Sequence, residues 1–103
     1  MSAQPQPMRP EDTISETLLR IWLYLLEREG KGWVTVTDIV DALNLPRTTT
    51  NYILRRLTQQ RIVEAVEYRP AHHYRVSPDA KKNNKEYIMR LEQAKEIFGG
   101  CGK

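Results

Sequence analysis

The chain has 103 residues, 40% of them hydrophobic and 28% charged, with a formal net charge of +3. That is one small domain with extensions and a single modest core. A lone cysteine, Cys101, excludes an internal disulfide and fits a reducing compartment. No apolar run approaches the roughly 18–20 residues needed to cross a membrane.

In chain order, residues 1–12 (MSAQPQPMRPED) carry Pro and Gln where a secretion signal needs an apolar core. They read as a disordered arm without an export signal, so a cytoplasmic protein is expected. Thr13 and Glu16 have capping-box spacing, which predicts a first helix running to about Glu29 and stopping at Gly30-Lys31-Gly32. One stripe on that helix is Ile14, Leu18, Ile21 and Leu25. A second is Leu19, Trp22, Leu23 and Leu26, so the helix is apolar nearly all round and needs cover on both sides.

The glycine turn is only superficially like a phosphate loop. Leu25 stands where the earlier glycine belongs, and Gly32 where a Ser or Thr would bind magnesium. A short helix is predicted from a capping Thr37 to Leu43, with Ile39, Val40 and Leu43 on its apolar face. Asn44-Leu45-Pro46 then makes a tight turn, since Asn tolerates a left-handed backbone and Pro suits the start of the next helix. That helix spans about Arg47 to Gln60. Thr50, Ile53, Leu54 and Leu57 form its buried face at i, i+3, i+4, i+7 spacing. Left outside are Arg47, Thr48, Asn51, Tyr52 and Arg55, side chains that bond phosphates and base edges.

Two strands are predicted next, Arg61–Glu67 and His73–Val76, joined by a loop from Tyr68 to His72 that contains Pro70. Helix, turn, helix and hairpin in this order resemble the winged helix-turn-helix of bacterial and archaeal transcription regulators. The resemblance rests on Leu45-Pro46-Arg47-Thr48-Thr49-Thr50-Asn51-Tyr52-Ile53-Leu54-Arg55-Arg56-Leu57, followed by Arg61-Ile62-Val63-Glu64, and covers roughly residues 18–77. It does not resolve a subfamily. Thr50 departs from the pattern, where a larger aliphatic side chain is common. The fold it implies is mainly α with a small β-hairpin: a winged helix-turn-helix over 13–77, a C-terminal helix over 78–98 for packing or dimerisation, and a flexible tail over 99–103.

Charge agrees with that placement. From Arg47 to Arg75 six arginines face two glutamates, a local net of +4, whereas residues 1–30 carry three basic and five acidic side chains, a net of −2. Arginine suits bidentate contact with phosphate or guanine. The resulting expectation is a sequence-specific regulator of double-stranded DNA. Its second motif helix would lie in the major groove through Arg47, Thr48, Asn51, Tyr52 and Arg55. Arg69, His72 and Arg75 of the wing would lie on the backbone or minor groove. Arg56 and Arg61 fall off the exposed stripe and read as packing or solvent-side charges.

Ser77-Pro78-Asp79 is a helix start, and Tyr87, Leu91, Ala94 and Phe98 follow with coiled-coil spacing, widened by Ile88 and Ile97. A minimal winged core has no place for this stripe. A homodimer is therefore expected, with Leu19, Trp22, Leu23 and Leu26 of the first helix against Tyr87, Leu91, Ala94 and Phe98 of the last. The competing arrangement folds the last helix back onto the first within one chain.

Other chemistry is thinly represented. His72 and His73 are adjacent and would point to opposite sides of a strand, and there is no CxxC or HxxxH spacing, so no metal or other cofactor is expected. Cys101 has no held basic neighbour, and Ser15 and Ser77 have no adjacent base, so no catalytic residue is assigned. Two alternatives to the regulator remain. A winged helix used only for protein docking should carry Leu, Met or Trp on the exposed face of its second helix. A single-strand binder should carry several exposed aromatics on a basic surface, for which only Tyr52, Tyr68 and Tyr74 are available.

Overall fold

The computed structural model describes residues 14–99. Thr13, the arm at 1–12 and Cys101 with residues 100–103 lie outside the described residues.

The first helix, α1, is Glu16–Glu27. Its cap is Ser15, not the expected Thr13: the Ser15 hydroxyl accepts the Leu18 N–H at 3.1 Å. The helix ends at Arg28, and the chain turns through Gly30 (φ 82°) and Gly32 (φ 114°), conformations that side chains with a Cβ rarely adopt. A short strand absent from the sequence reading follows, β1 at Val34–Thr35. Two residues are too few to show a period-2 pattern. The next helix, α2, is Val36–Leu43, and its N-cap is Thr35 where Thr37 was expected. Thr35 and Asp38 form a reciprocal capping box, with Asp38 N–H donating to Thr35 Oγ1 and Thr35 N–H donating to Asp38 Oδ2.

Asn44 ends α2 in the left-handed region (φ 57°, ψ 54°), as the Asn-Leu-Pro turn requires. The Arg20 guanidinium donates to the Leu43 carbonyl at 3.1 Å and ties α1 to this corner. The motif's second helix, α3, is Arg47–Gln59. Thr50 is fully buried beneath it, and its hydroxyl donates to the Pro46 carbonyl at 2.9 Å, so the small polar residue is satisfied within its own helix.

The wing is a tighter hairpin than the sequence suggested. Strands β2 (Val63–Tyr68) and β3 (Ala71–Val76) pair antiparallel in unbroken register from Val63↔Val76 to Tyr68↔Ala71, which leaves only Arg69 and Pro70 in the turn. Tyr68, Ala71 and His72, expected in a loop, are therefore strand residues. The sheet order is β1-β3-β2, with Val34↔Tyr74 and Thr35↔His73 in register. Register assigns the faces. Val34, Val63 and Val76 are buried, so they, Ala65, Tyr74, Glu67 and His72 share the core side. Glu64, Val66, Tyr68, His73 and Arg75 share the outer side.

The expected single C-terminal helix is broken. A single turn, α4 (Ala80–Asn83), is followed by α5 (Lys85–Gly99), with Asn84 between them (φ −155°, ψ 75°). The two asparagines explain the break, because their side chains bond to the end of α3. Asn83 Nδ2 donates to the Arg61 carbonyl at 2.8 Å, and Asn84 Nδ2 donates to Gln60 Oε1 at 2.8 Å. Asn84 Oδ1 also accepts the Tyr87 N–H in the first turn of α5.

Within one chain α5 packs against α1. The eight-residue surplus inferred from sequence is corrected accordingly: Leu19, Trp22, Tyr87, Leu91 and Ala94 are all buried in the single chain, and Leu23 and Leu26 are half-buried. The physical reason is that α1 packs against α5 as well as against α2, α3 and β3. Its buried side chains join theirs in one continuous cluster. What stays exposed of the large apolar residues on α5 is Met89 at its middle and Ile97 and Phe98 at its end, the last two at 70% and 43%.

Candidate nucleic-acid interface

The exposed face of α3 begins where Pro46 caps the helix without a side-chain hydrogen bond. Arg47, Thr48, Asn51, Tyr52 and Arg55 are all exposed along it, opposite the buried Thr50, Ile53, Leu54 and Leu57. Arg47 is held in place, since its guanidinium donates to Thr37 Oγ1 on α2 at 2.9 Å. Arg56 is buried and sits beside Tyr52, its guanidinium carbon 5.8 Å from the ring centroid. Arg61 is exposed in the left-handed region (φ 67°) just after α3. Both therefore lie off the α3 stripe.

The wing joins this face along the core side of β3. Burial pushes the Tyr74 phenol above its ordinary value of 10.0, and the nearby Arg55 guanidinium opposes that shift. Tyr74 therefore lies within electrostatic reach of α3. His72, two residues along the same side, stacks on Tyr74 with ring centroids 6.5 Å apart. His72 and, at the turn, Arg69 are exposed beyond the half-buried Tyr74.

Arg75 is not brought to that surface. It projects from the outer face of the sheet, its Nε 2.9 Å from Glu64 Oε1 and its guanidinium carbon 4.5 Å from the centre of the Trp33 ring. His73 lies on the same outer face, edge-on to Tyr68, with Nδ1 buried and lacking a hydrogen-bond partner among the described residues.

Two members of the α3 surface were missed by the sequence reading. Thr37, taken for a cap, holds Arg47 from ten residues away, a separation that no local pattern reports. Tyr74 comes within electrostatic reach of Arg55 only through the tertiary fold. Among the described residues no three His, Cys, Asp or Glu side chains group as a metal set would.

An apolar underside, a cationic and amide-bearing exposed face on the second motif helix, and a hairpin wing with a two-residue turn define a winged helix-turn-helix of the DNA-binding regulator class. The sequence profile of the MarR family matches residues 21–72, just over half of the chain, and the chain belongs to that family, whose members are DNA-binding transcription regulators. Solved structures share the fold. The ST1889 protein of the thermoacidophilic archaeon Sulfolobus tokodaii is 20% identical, with 84% of this chain and 85% of that one covered at a TM-score of 0.64. A possible transcriptional regulator from Methanosarcina mazei Go1 is 12% identical, with 89% and 78% covered at 0.64. BpsR of Bordetella bronchiseptica, whose DNA binding is regulated by 6-hydroxynicotinic acid, is 14% identical, with 86% and 70% covered at 0.58. No curated protein matches the chain in sequence. No helix among the described residues is long and apolar enough to cross a membrane.

Proposed function

We propose that this chain is a sequence-specific regulator of double-stranded DNA that acts as a homodimer in the cytoplasm, with α3 in the major groove and the wing tip on the backbone. The observation that carries the reading is the single exposed face formed by Arg47, Thr48, Asn51, Tyr52 and Arg55 on α3. On it Asn51 suits adenine, Arg47 or Arg55 suits guanine, and Thr48 or Tyr52 suits phosphate or a thymine methyl. Arg69 at the turn, with His72 behind it, supplies affinity rather than sequence. The docking-only alternative is disfavoured, because Tyr52 is the one large apolar group on that helix face.

The dimer seam proposed from sequence moves outward. With Leu19, Trp22, Tyr87, Leu91 and Ala94 covered in one chain, the large apolar side chains that α5 leaves for a second copy are Met89, Ile97 and Phe98, the last two at its end. A closed two-fold pair is the commonest way to bury such a patch. It sets two α3 helices about 34 Å apart and calls for a near-palindromic site.

The test is selection from a pool of random duplexes, followed by shift assays on the enriched site. A two-fold site whose preference at one base position relaxes in Asn51→Ala is the expected result. Failure of any duplex to enrich would overturn the reading.

A further inference from the structure

Trp33, Arg75 and Glu64 lie side by side across the outer face of the sheet, one before β1, one on β3 and one on β2. Glu64 and Arg75 are direct cross-strand partners and are ion-paired at 2.9 Å. The other side of the Arg75 guanidinium stacks 4.5 Å from the Trp33 ring centre, indole being the ring that holds a cation best. A planar guanidinium can stack and hydrogen-bond at once, which an ammonium cannot.

The backbone gives this region little help. β1 is two residues long and pairs with β3 only at Tyr74 and His73. Beyond that point β2 and β3 run on as a bare two-stranded hairpin to the Arg69-Pro70 turn. A hairpin alone is marginal in water, so its direction depends on what braces its base. Val66 and Tyr68, exposed at 42% and 74%, show how little packs on the outer face nearer the turn.

We propose that Trp33, Arg75 and Glu64 form a strut that fixes the direction of the wing, and that Arg75 serves DNA binding as a positioning residue and not as a contact. The inference rests on the proposed DNA-binding role of the wing. It reverses the expectation for Arg75 drawn from sequence, because Arg75 and α3 are on opposite sides of the sheet. The strut acts by holding Arg69 and His72 where the α3 surface needs them.

The experiment compares Arg75→Gln, Trp33→Leu, their double mutant and Arg69→Ala in the full chain. Arg75→Gln and Trp33→Leu should each weaken binding roughly threefold to tenfold on every duplex, as expected for loss of exposed cation–π and ion-pair contacts. The double mutant should be no weaker than either single one, because both remove the same contact. The slope of log affinity against log salt should stay at the parental value for both, whereas Arg69→Ala should flatten it by about one unit. Both strut variants should also raise amide hydrogen exchange across residues 66–73, and Arg75→Gln should open Trp33 to iodide quenching against the buried background of Trp22. A flattened slope in Arg75→Gln would overturn the strut in favour of a phosphate contact. Unchanged exchange at 66–73 would overturn it whether or not any duplex binds, so its failure is separable from failure of the DNA-binding reading.

Discussion

Helices α3 and α5 are of similar length, 13 and 15 residues, and each packs one face into the same core, yet α5 leaves aliphatic and phenyl side chains exposed among its charged ones and α3 does not. Beyond its buried face α3 presents Arg47, Thr48, Asn51 and Arg55, groups that water satisfies and that only a polar, anionic surface can replace on favourable terms. At its end α5 leaves Ile97 and Phe98 in water, and each large apolar side chain gains roughly 1.5–3 kcal/mol by leaving it. The difference separates two kinds of recognition within one small fold. One face offers hydrogen bonds and charge, and gains specificity from geometry. The other offers apolar area, and gains affinity from burial.

The largest effect should come from attacking α5 where it is buried. Leu91 is 1% exposed, so Leu91→Glu should destabilise the chain by about 4 kcal/mol or more, seen as loss of the cooperative urea transition. By contrast, Ile97→Glu with Phe98→Glu should leave stability within about 0.5 kcal/mol. Light scattering on that pair should then fall from twice the chain mass to 12.1 kDa. A double-mass particle that survives the pair would remove the end of α5 from the seam.

On α3 the expected effects are smaller and fall on binding alone. Asn51→Ala should cost about 1–3 kcal/mol on a selected site and relax one base position, with the urea midpoint unchanged. Equal loss on every duplex would mean that Asn51 touches backbone. At the wing, Arg69→Ala should weaken all duplexes alike. Loss confined to one sequence would give the turn a reading role.

The smallest effect concerns Tyr74, on the core side of the wing. Its phenol is raised in the folded state by burial, so the unfolded chain releases its proton first. The stability tied to the neutral phenol is fully present below the unfolded value near 10.0, and is lost as pH climbs from there through the raised folded value. Urea midpoints between pH 9 and 11 should fall less steeply in Tyr74→Phe than in the parent. Identical slopes would show that Tyr74 does not titrate with folding.

Much of the α3 surface was legible in advance because it depends on local periodicity. Thr50, Ile53, Leu54 and Leu57 repeat at helical spacing, so the opposite stripe follows from 3.6 residues per turn with no knowledge of neighbours. Asn44 was legible for an equally local reason, since few residues tolerate its backbone angles. The caps were less so. Ser15 and Thr35 lie two residues from the threonines that spacing favoured, since the helix start is set by which turn brings Leu18 and Ile39 into the core.

What the sequence by itself determined is therefore the order of the first helix, the two motif helices and the hairpin, and the class of surface on α3, all consequences of dihedral preference and short-range spacing; β1 and the break at Asn84 were not among them. Only the tertiary structure decided which apolar stripe covers which. The first helix is apolar on both sides whether α5 comes from the same chain or another, and spacing cannot distinguish the two; the fold closes α5 over α1 in one chain and leaves Met89, Ile97 and Phe98 exposed. The same holds for Arg75. An arginine on a wing strand is as well spaced for DNA as for a strut, and only strand register, which sends alternate side chains to opposite faces, puts it against Trp33 and Glu64.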